Sequence, residues 1–543
     1  MTVELSPEHM EAVNRPRRII YHHDAGANTH HPLAKVGPEQ IDDAVKFLVS
    51  PLDAPGNQID SVWYDWTEGN HAVWRSEVLP PLAHGAYPGW WEAGHDIVDL
   101  VRKAAKDRGR EVFFSYRING GDHDFGLRIP PIKQENPEWT HDAYAGLGYS
   151  KRHIFWNFAF KEVRDYKVKV IHELAETYDF DGISIDFARG PHSFISGTQW
   201  RHRDLLTDFM REVRKVILEV ERKRGRPLLL AVRVPAYIAG CHFDGIDVRT
   251  WAREKLVDIF VLGCRSSEVD LAGYQSITAD TGIKLYPCFD YVHTSDAYDY
   301  PSIDLSRGIY TNWWQQGADG AYTFNCYEMD PAIAQQLGAK RSPPGWRAQC
   351  QLFREIGSPE TMRYLDKIFI IQRRGYGNGK TVPKPEDWWT PRHQYSNTNM
   401  QEALPATIPN NHRADRLLTL SVGDDVNAAN DKIEKITLRL GLLDPAAGDL
   451  PAANRHEGVM GSRRHKETPK LVTAKGIESL IEVRVNNLLL DPPRIEEGWL
   501  VFPVDPPQLA LGENLIGVRN VKPRPESSKS IIIEKLEVHV DYR

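Results

Sequence analysis

Cysteine pairs, long apolar runs and an excess of positive charge are all missing from this 543-residue sequence. Its five cysteines are odd in number and form no C-x-x-C pair, which argues against a disulfide scaffold and against common zinc sites. No segment approaches the ~18 consecutive apolar residues of a membrane span, and no signal-type apolar run opens the chain. We therefore expect reduced thiols, no membrane partner and a cytoplasmic location as given. A secreted or periplasmic location would follow if a signal peptide had been removed.

The charge balance is mildly acidic, with 67 Lys and Arg against 74 Asp and Glu, a formal net charge of −7. This balance gives no general reason to bind nucleic acid. Aromatic residues are plentiful, with 15 tryptophans, so a large core can form. No motif indicates a cofactor, and nothing in the sequence fixes the oligomeric state.

Short apolar runs alternate with amphipathic helical stretches from about residue 17 to 330. This alternation predicts β-α units around a parallel sheet. The clearest helix is Arg203–Arg222, with one apolar stripe and a charged opposite face. The eight predicted strands are Arg18–His23, Ser61–Asp65, Val112–Arg117, Gly182–Phe187, Leu228–Val234, Ile259–Gly263, Lys284–Phe289 and Ala321–Asn325. Eight such units predict an α/β fold of the TIM-barrel type, and the absence of G-x-G-x-x-G before any helix disfavours a doubly wound sheet.

The composition and the predicted secondary structure change after the eighth β-α unit. We assign residues 17–358 to a (β/α)8 barrel and residues 359–411, rich in Pro, Gly and polar side chains, to a linker or extended loop with a possible sandwich strand. Residues 412–543 contain several strand-like runs and almost no helical pattern. They predict a carboxyl-terminal β-sandwich that serves as an accessory domain.

Reacting groups in a TIM barrel lie where the strands end. Polar and aromatic side chains are dense at those positions. The candidate site residues are His22, Tyr64, Asp65, Trp66, Tyr116, Arg117, Asp186, Arg189, Arg233, Arg265, Glu268, Asp290, His293 and Asn325. Trp66 is the candidate for stacking on a sugar face.

The sharpest segment is YDFDGISIDFARGP around the fourth strand. Strand alternation puts Ser184 and Asp186 on one face and Ile183 and Ile185 on the other, so Asp186 is expected to point into the barrel at its mouth. A carboxylate there is costly unless it is paired or used. Arg189 is the expected partner.

Four segments carry a family resemblance: FDGISIDFAR, RVP, GIDVRTWAREKLVDIFVLG and NWWQQGADGAYTFN. Together they resemble the glycoside hydrolase-like TIM barrels whose fourth strand reads FDG-I-x-x-D-F-x-R. The resemblance implies a carbohydrate substrate, with Asp186 as a catalytic or sugar-binding group. The chitinase motif D-G-x-D-x-D-x-E is similar in layout, but Ser184 replaces its middle Asp and Ala188 its Glu, which argues against chitinase-type chemistry.

Glycoside hydrolysis requires two carboxyl groups flanking the bond that breaks. With Asp186 as nucleophile or base, Glu268 and Asp290 are the leading candidates for the acid. Asp65, Asp122, Asp124 and Glu328 are the alternatives. Four arginines, Arg117, Arg189, Arg233 and Arg265, end four consecutive strands, and this cluster predicts a substrate with uronate or sulfate groups.

Three other functions are alternatives to hydrolysis by two carboxylates. The first is a metal-dependent barrel hydrolase. Strand one reads HHD, without the H-x-H spacing that places two imidazoles on one strand face, so we expect no catalytic metal. A polysaccharide lyase would use Tyr116, Tyr291 or His293 as its base. A carbohydrate-binding barrel without activity is the third alternative, because Ala188 stands where the chitinase motif has Glu.

Overall fold

The structure is a computed structural model that describes most of the chain. The described residues are 3–25, 32–66, 69–83, 85–119, 129–142, 154–188, 193–263, 266–291, 298, 301–326, 328–338, 345–373, 403–444 and 476–543. Within them, no helix has both the length and the apolar character needed to cross a membrane.

The first part of the chain forms a closed barrel of eight parallel strands. In chain order, the first ten strands are β1 (Ile19–Asp24), β2 (Ile59–Asp65), β3 (Glu111–Arg117), β4 (Thr140–Asp142), β5 (Ile154–Trp156), β6 (Gly182–Asp186), β7 (Leu229–Val234), β8 (Ile259–Leu262), β9 (Lys284–Asp290) and β10 (Ala321–Phe324). The barrel order is β1-β10-β9-β8-β7-β6-β3-β2, and β4 and β5 form a separate hairpin. The predicted TIM barrel is confirmed, since each barrel strand begins and ends within two residues of its predicted bounds.

Helices surround the barrel and connect its strands. They are α1 (Pro7–Asn14), α2 (Ile41–Val49), α3 (Tyr87–Glu92), α4 (Ile97–Asp107), α5 (Pro131–Glu135), α6 (Lys161–Thr177), α7 (Arg203–Arg224), α8 (Ile238–Asp244), α9 (Val248–Arg253), α10 (Leu271–Thr278), α11 (Ile303–Gln315), α12 (Pro331–Gln336), α13 (Trp346–Glu355) and α14 (Pro359–Met362). The predicted helix Arg203–Arg222 is α7, which ends where Gly225 adopts a φ of 69° and closes the last turn.

Helix α1 seals the amino-terminal end of the barrel. Pro7 follows the helix cap Ser6, whose hydroxyl accepts a hydrogen bond from the backbone N–H of His9 at 3.1 Å. Val13 belongs to the buried cluster inside the barrel, so the helix places an apolar side chain over the open end. Below it, Arg17 donates to both carboxylate oxygens of Glu111 at 2.7 and 2.6 Å. We call the opposite end of the barrel, where the strands finish, the mouth.

The remaining strands form two antiparallel sheets, which we call the β-domain. They are β11 (Lys367–Ile371), β12 (Ala406–Thr407), β13 (Arg416–Val422), β14 (Ile433–Leu443), β15 (Ile481–Val485), β16 (Leu488–Leu489), β17 (Arg494–Glu496), β18 (Trp499–Pro503), β19 (Gly512–Asn520) and β20 (Ile532–Tyr542). One sheet has the order β11-β20-β14-β18-β17 with β12 beside β20, and the other has the order β13-β19-β15-β16. Both sheets contribute to one buried apolar cluster, which confirms the predicted sandwich class.

The β-domain packs closely against the barrel. Strand β11 lies within the stretch assigned to a linker, pairs with β20 and lies against α11. A Cβ on Gly308 of α11 would come within 2.0 Å of the carbonyl oxygen of Ile368, so helix and strand approach at the distance that only glycine permits. The side-chain amide of Asn312 also donates to the carbonyl of Ser421 in β13 at 3.1 Å.

Candidate active site

Five charged side chains meet inside the mouth of the barrel. The interior positions near the ends of five strands are occupied by Asp65, Arg117, Asp186, Arg233 and Asp290. Each lies two residues after another inward-facing residue, and alternate residues of a strand point to the same face. All five are at most 2% exposed. The mouth therefore contains charged groups at a depth where unpaired charge is costly.

Asp186 is held by two neighbours. Arg233 donates through Nε to Oδ1 at 3.0 Å and through Nη2 to Oδ2, which gives a bidentate pair. The backbone N–H of Ala188 donates to Oδ1 at 2.9 Å. These charge-assisted hydrogen bonds hold the Asp186 carboxylate in one orientation.

Arg117 bridges two further carboxylates. Its Nη2 donates to Oδ2 of Asp24 at 2.7 Å, and its Nε lies 2.9 Å from Oδ2 of Asp65 in an ion pair. Arg117 is therefore neutralised by carboxylates of the mouth itself, as Arg233 is by Asp186.

Asp290 has a different environment from Asp186. The side-chain amide of Asn325 donates to its Oδ1 at 2.9 Å. Asn325 has a φ of 57°, a left-handed conformation that asparagine tolerates better than most residues, and this backbone turn brings its side chain to Asp290. The hydrogen bond from Asn325 fixes the orientation of the Asp290 carboxylate.

His22 and Phe324 lie beneath these charges. The His22 and Phe324 rings are 4.5 Å apart, and the guanidinium carbon of Arg233 lies 4.1 Å from the centre of the same phenyl ring. His22 Nε2 is 3.2 Å from the Ser115 hydroxyl, while its buried Nδ1 has no hydrogen-bond partner among the described residues. Burial, reinforced by Arg233 and Arg117, holds the pKa of His22 well below its usual range. The imidazole is therefore neutral at the base of the mouth.

The described charges of the mouth are the carboxylates of Asp24, Asp65, Asp186 and Asp290 and the guanidinium groups of Arg117 and Arg233. Carboxylates fixed at such positions can stabilise positive charge that develops on a bound molecule.

Three aromatic candidates lie outside the mouth. Tyr64 and Tyr116 face the helices because each precedes an inward residue, Asp65 or Arg117, and adjacent strand residues point to opposite faces. The Tyr64 hydroxyl donates to a backbone carbonyl in α2 at 3.2 Å, and that of Tyr116 donates to the carbonyl of Gly69 at 2.9 Å. Trp66 is 1% exposed in the same outer cluster. The structure does not bring these three rings to a substrate.

Glu268 lies at the boundary between the barrel and the β-domain. It lines a cleft of about 520 Å³ formed by the loop after β8, by α10, by α11, and by β13 and β19 of the β-domain. We call it the junction cleft. Asp186 and Asp290 are not among its lining residues, so the structure does not bring Glu268 together with either of them there.

The other candidates are distributed as follows. Arg189, Arg265, His293, Asp122 and Asp124 lie outside the described residues. Glu328 is held through its backbone, which accepts from and donates to the side-chain amide of Gln349 at 2.7 and 2.9 Å. Tyr291, the lyase candidate, is buried, and its hydroxyl is 3.4 Å from that of Tyr310.

Two residues of the mouth escaped the candidate set, Asp24 and Phe324. Both could have been found from alternation, because Asp24 follows the inward His22 by two residues and Phe324 lies two residues after Tyr322 inside the barrel. In the part of the chain that the structure describes, no three His, Cys, Asp or Glu side chains converge as a set of metal ligands.

Comparisons with known proteins return glycoside hydrolases of solved structure. The sequence matches no protein-family model and no curated protein. The chain is similar to an alpha-amylase from Lactobacillus plantarum at 13% identity and a TM-score of 0.35, over 66% of this chain and 83% of the enzyme. It is similar to a β-L-arabinopyranosidase from Geobacillus stearothermophilus, in complex with arabinose, at 11% identity and a TM-score of 0.37, over 95% and 99%.

An alpha-galactosidase from Geobacillus stearothermophilus, in complex with stachyose, shares 11% identity and a TM-score of 0.34 over 98% of this chain. The chain spans 56% of that enzyme. With TM-scores this low, the similarities assign no site residue to this chain.

Proposed function

We propose that this protein is a glycoside hydrolase that acts at the mouth of its barrel. One observation carries the proposal: the carboxylates of Asp65, Asp186 and Asp290 are buried at the same end of the barrel, where their strands finish. Glycoside hydrolysis passes through an oxocarbenium-like transition state, in which positive charge develops on the sugar ring. Carboxylates fixed beside the sugar ring stabilise that charge more than they stabilise the neutral substrate.

In this proposal Asp186 is the nucleophile or base. Three donors, two from Arg233 and one from the Ala188 backbone, hold its carboxylate in one orientation. A fixed anion that needs no reorganisation is what either role requires.

Asp290 is the proposed acid, in preference to Glu268. Asp290 ends strand β9 and points into the same interior as Asp186. Glu268 lines the junction cleft, where a proton donor would act on a different ligand.

We further propose that the substrate contains uronate or sulfate groups. Arg117 and Arg233 are each paired with mouth carboxylates, so a uronate or sulfate group would depend on Arg189 and Arg265. Equal binding of neutral and charged oligosaccharides would show that the substrate is not selected by these arginines.

Two variants test the roles with aryl glycosides. We expect Asp186→Asn to lower kcat/KM on nitrophenyl glycosides by about a thousandfold, because the anion is lost. We expect Asp290→Asn to lower it about a hundredfold on nitrophenyl glycosides but far less on dinitrophenyl glycosides, whose leaving group needs no proton. The exposed Asp204→Asn on α7 is the matched control and should retain wild-type rates.

The competing functions give different results in the same assay. A lyase would produce an unsaturated product that absorbs in the ultraviolet, and a binding protein would retain sugars without turnover. If Asp186→Asn keeps turnover within about tenfold of wild type while folded, the assignment of Asp186 is wrong.

A further inference from the structure

The β-domain contacts the connection that leaves β9 at Asp290 and enters α11 at Ile303. Tyr298 lies on this connection, where its ring belongs to the buried cluster of the barrel and is 1% exposed. Its hydroxyl donates to Oε1 of Glu537 on β20 at 3.2 Å. One side chain therefore joins the segment that follows the proposed acid to an interior strand of a β-domain sheet.

Glu537 is held firmly at its own end of this contact. Its strand pairs with β11 on one side and with β14 on the other. Its Oε2 lies 2.7 Å from Nε2 of His539, two residues along the same face of β20. On that face the Lys535 ammonium also lies 4.9 Å from the centre of the Tyr298 ring. The phenol is thus received by groups whose positions the sheet fixes.

The charges in this contact are buried, whereas the cores of interfaces are usually depleted of charge. Glu537 is 1% exposed and Lys535 is 2% exposed. Removing charged groups from water is costly, and apolar residues of similar size would often give equal or greater stability. Charge-assisted hydrogen bonds add geometric specificity, because they fix the orientation of the groups they join. The chemistry of the contact therefore favours a role in geometry over a role in stability alone.

The β-domain also holds the neighbouring segment, which follows β8. Gln372, directly after β11, is fully buried, and its side-chain oxygen accepts from the backbone N–H of Ser267. The carbonyl of Ser267 accepts from the Trp313 indole of α11 at 3.0 Å. These contacts lie beyond the ends of β8 and β9, at the end of the barrel that carries the reacting groups in this fold.

Asp290 connects this arrangement to the proposed chemistry. It is the last residue of β9, and the next residue, Tyr291, is buried with its hydroxyl 3.4 Å from that of Tyr310 in α11. The connection is therefore anchored beside Asp290 by the barrel and, farther along, by Glu537 of the β-domain. A misplacement of about 1 Å in a reacting group can cost about a hundredfold in rate.

We propose that the β-domain positions the proposed acid: Glu537, acting through Tyr298, is a positioning residue for Asp290. This inference rests on the proposed function, because it concerns the group that would protonate the leaving group at the mouth. The β-domain thereby takes part in catalysis although neither Glu537 nor Tyr298 needs to touch the substrate.

Tyr298→Phe removes the hydroxyl and keeps the ring. We expect kcat/KM on nitrophenyl glycosides to fall about tenfold, with KM changed by less than about twofold. On dinitrophenyl glycosides we expect a change within about twofold, because their leaving group needs no proton from Asp290. A merely structural role would lower both rates alike, through the fraction of folded enzyme.

Tyr178→Phe is the matched control. The Tyr178 hydroxyl donates to Oδ2 of Asp96 at 2.6 Å, so this variant also loses a hydrogen bond from tyrosine to carboxylate. Tyr178 follows α6 and precedes β6, at the opposite end of the barrel from the mouth. We expect this variant to hydrolyse both aryl glycosides at wild-type rates.

Hydrogen exchange measured by mass spectrometry tests the contact without turnover. In Tyr298→Phe we expect peptides that cover the end of β9 and the start of α11 to exchange faster than in wild type. Peptides of α7 should be unchanged.

The outcomes separate the two proposals. An unchanged exchange rate at the end of β9 in Tyr298→Phe, or an equal effect of this variant on the two glycosides, overturns the positioning role while the hydrolase assignment stands. A wild-type protein that hydrolyses no glycoside overturns the proposed function and, with it, the catalytic role of Glu537. Exchange at the end of β9 then decides only whether the β-domain holds this segment.

Discussion

Replacing His9 with glutamine should remove a pH-dependent part of the barrel's stability. His9 is fully buried in α1, with Nδ1 2.6 Å from Glu221 Oε2 and Nε2 2.9 Å from Asp258 Oδ1. Because both neighbours accept hydrogen bonds, both ring nitrogens must donate, and the imidazole is a cation. Arg214 makes a second, bidentate pair with Asp258 at 2.9 and 2.6 Å, which holds that carboxylate in place.

The magnitude follows from the pKa of His9. Burial lowers it, but the hydrogen bonds to Asp258 and Glu221 outweigh burial and raise it from 6.5 to about 9. At about 1.4 kcal/mol for each tenfold change in proton affinity, the raised pKa corresponds to about 3 kcal/mol. The lowered pKa values of Glu221 and Asp258 report the same contacts, so they are not added to this figure.

The sign of the effect is fixed by the direction of the shift. Below pH 6.5 both folded and unfolded His9 are protonated, and the full stabilisation is present. Between pH 6.5 and about 9 the unfolded chain has lost the proton while the folded protein keeps it, so stability falls as pH rises. Above about pH 9 the contribution is gone.

Two measurements check this reasoning. Urea unfolding of wild type and His9→Gln should give a stability difference that shrinks by about 3 kcal/mol from acidic to alkaline pH across that window. His172→Gln, at an exposed position of α6, is the control and should show no such trend. An NMR titration of the His9 ring that gives a pKa near 6.5 would refute the argument.

Three other changes test the packing around the site. Arg233→Met should destabilise the barrel by about 3–5 kcal/mol, because it leaves buried Asp186 without its cation, and adding Asp186→Asn should recover much of that loss in urea unfolding. Gly308→Ala should cost about 1–3 kcal/mol by calorimetry, since its Cβ would strike the backbone of Ile368; an unchanged melting profile would contradict the close approach. Trp66→Phe should leave KM within about twofold, because the ring is buried away from the mouth, and a larger rise would restore it as a stacking residue.

The barrel could be read from the sequence because its strands are continuous apolar runs buried on both faces. Runs such as LLLAVRV stand out against the charged helices, so their bounds were predicted within two residues. The start of the β-domain was harder to predict. Strand β11 follows the last barrel helices directly, and only its pairing with the distant β20 assigns it to the sandwich.

The site could be predicted only in part. Alternation along one strand predicted Asp186 on the interior face, where it pairs with Arg233 of the next strand, a contact that the sequence did not predict. Arg189, the predicted partner, lies outside the described residues. Pairing across strands depends on register, which local spacing does not contain. Tyr64 and Tyr116 each lie one residue before an inward-facing residue of their strand. Strand alternation alone therefore predicts that both side chains face the helices.

The position of β20 has a consequence for how the chain is made. β20 lies between β11 and β14 in its sheet, yet it is the latest of these strands along the sequence. During synthesis the eight barrel strands are all complete by Phe324, whereas the strand that pairs with both β11 and β14 begins only at Ile532, after β14 has ended at Leu443. Until then both strands present open edges, so the nascent β-domain is the part of this protein that a chaperone would have to shield.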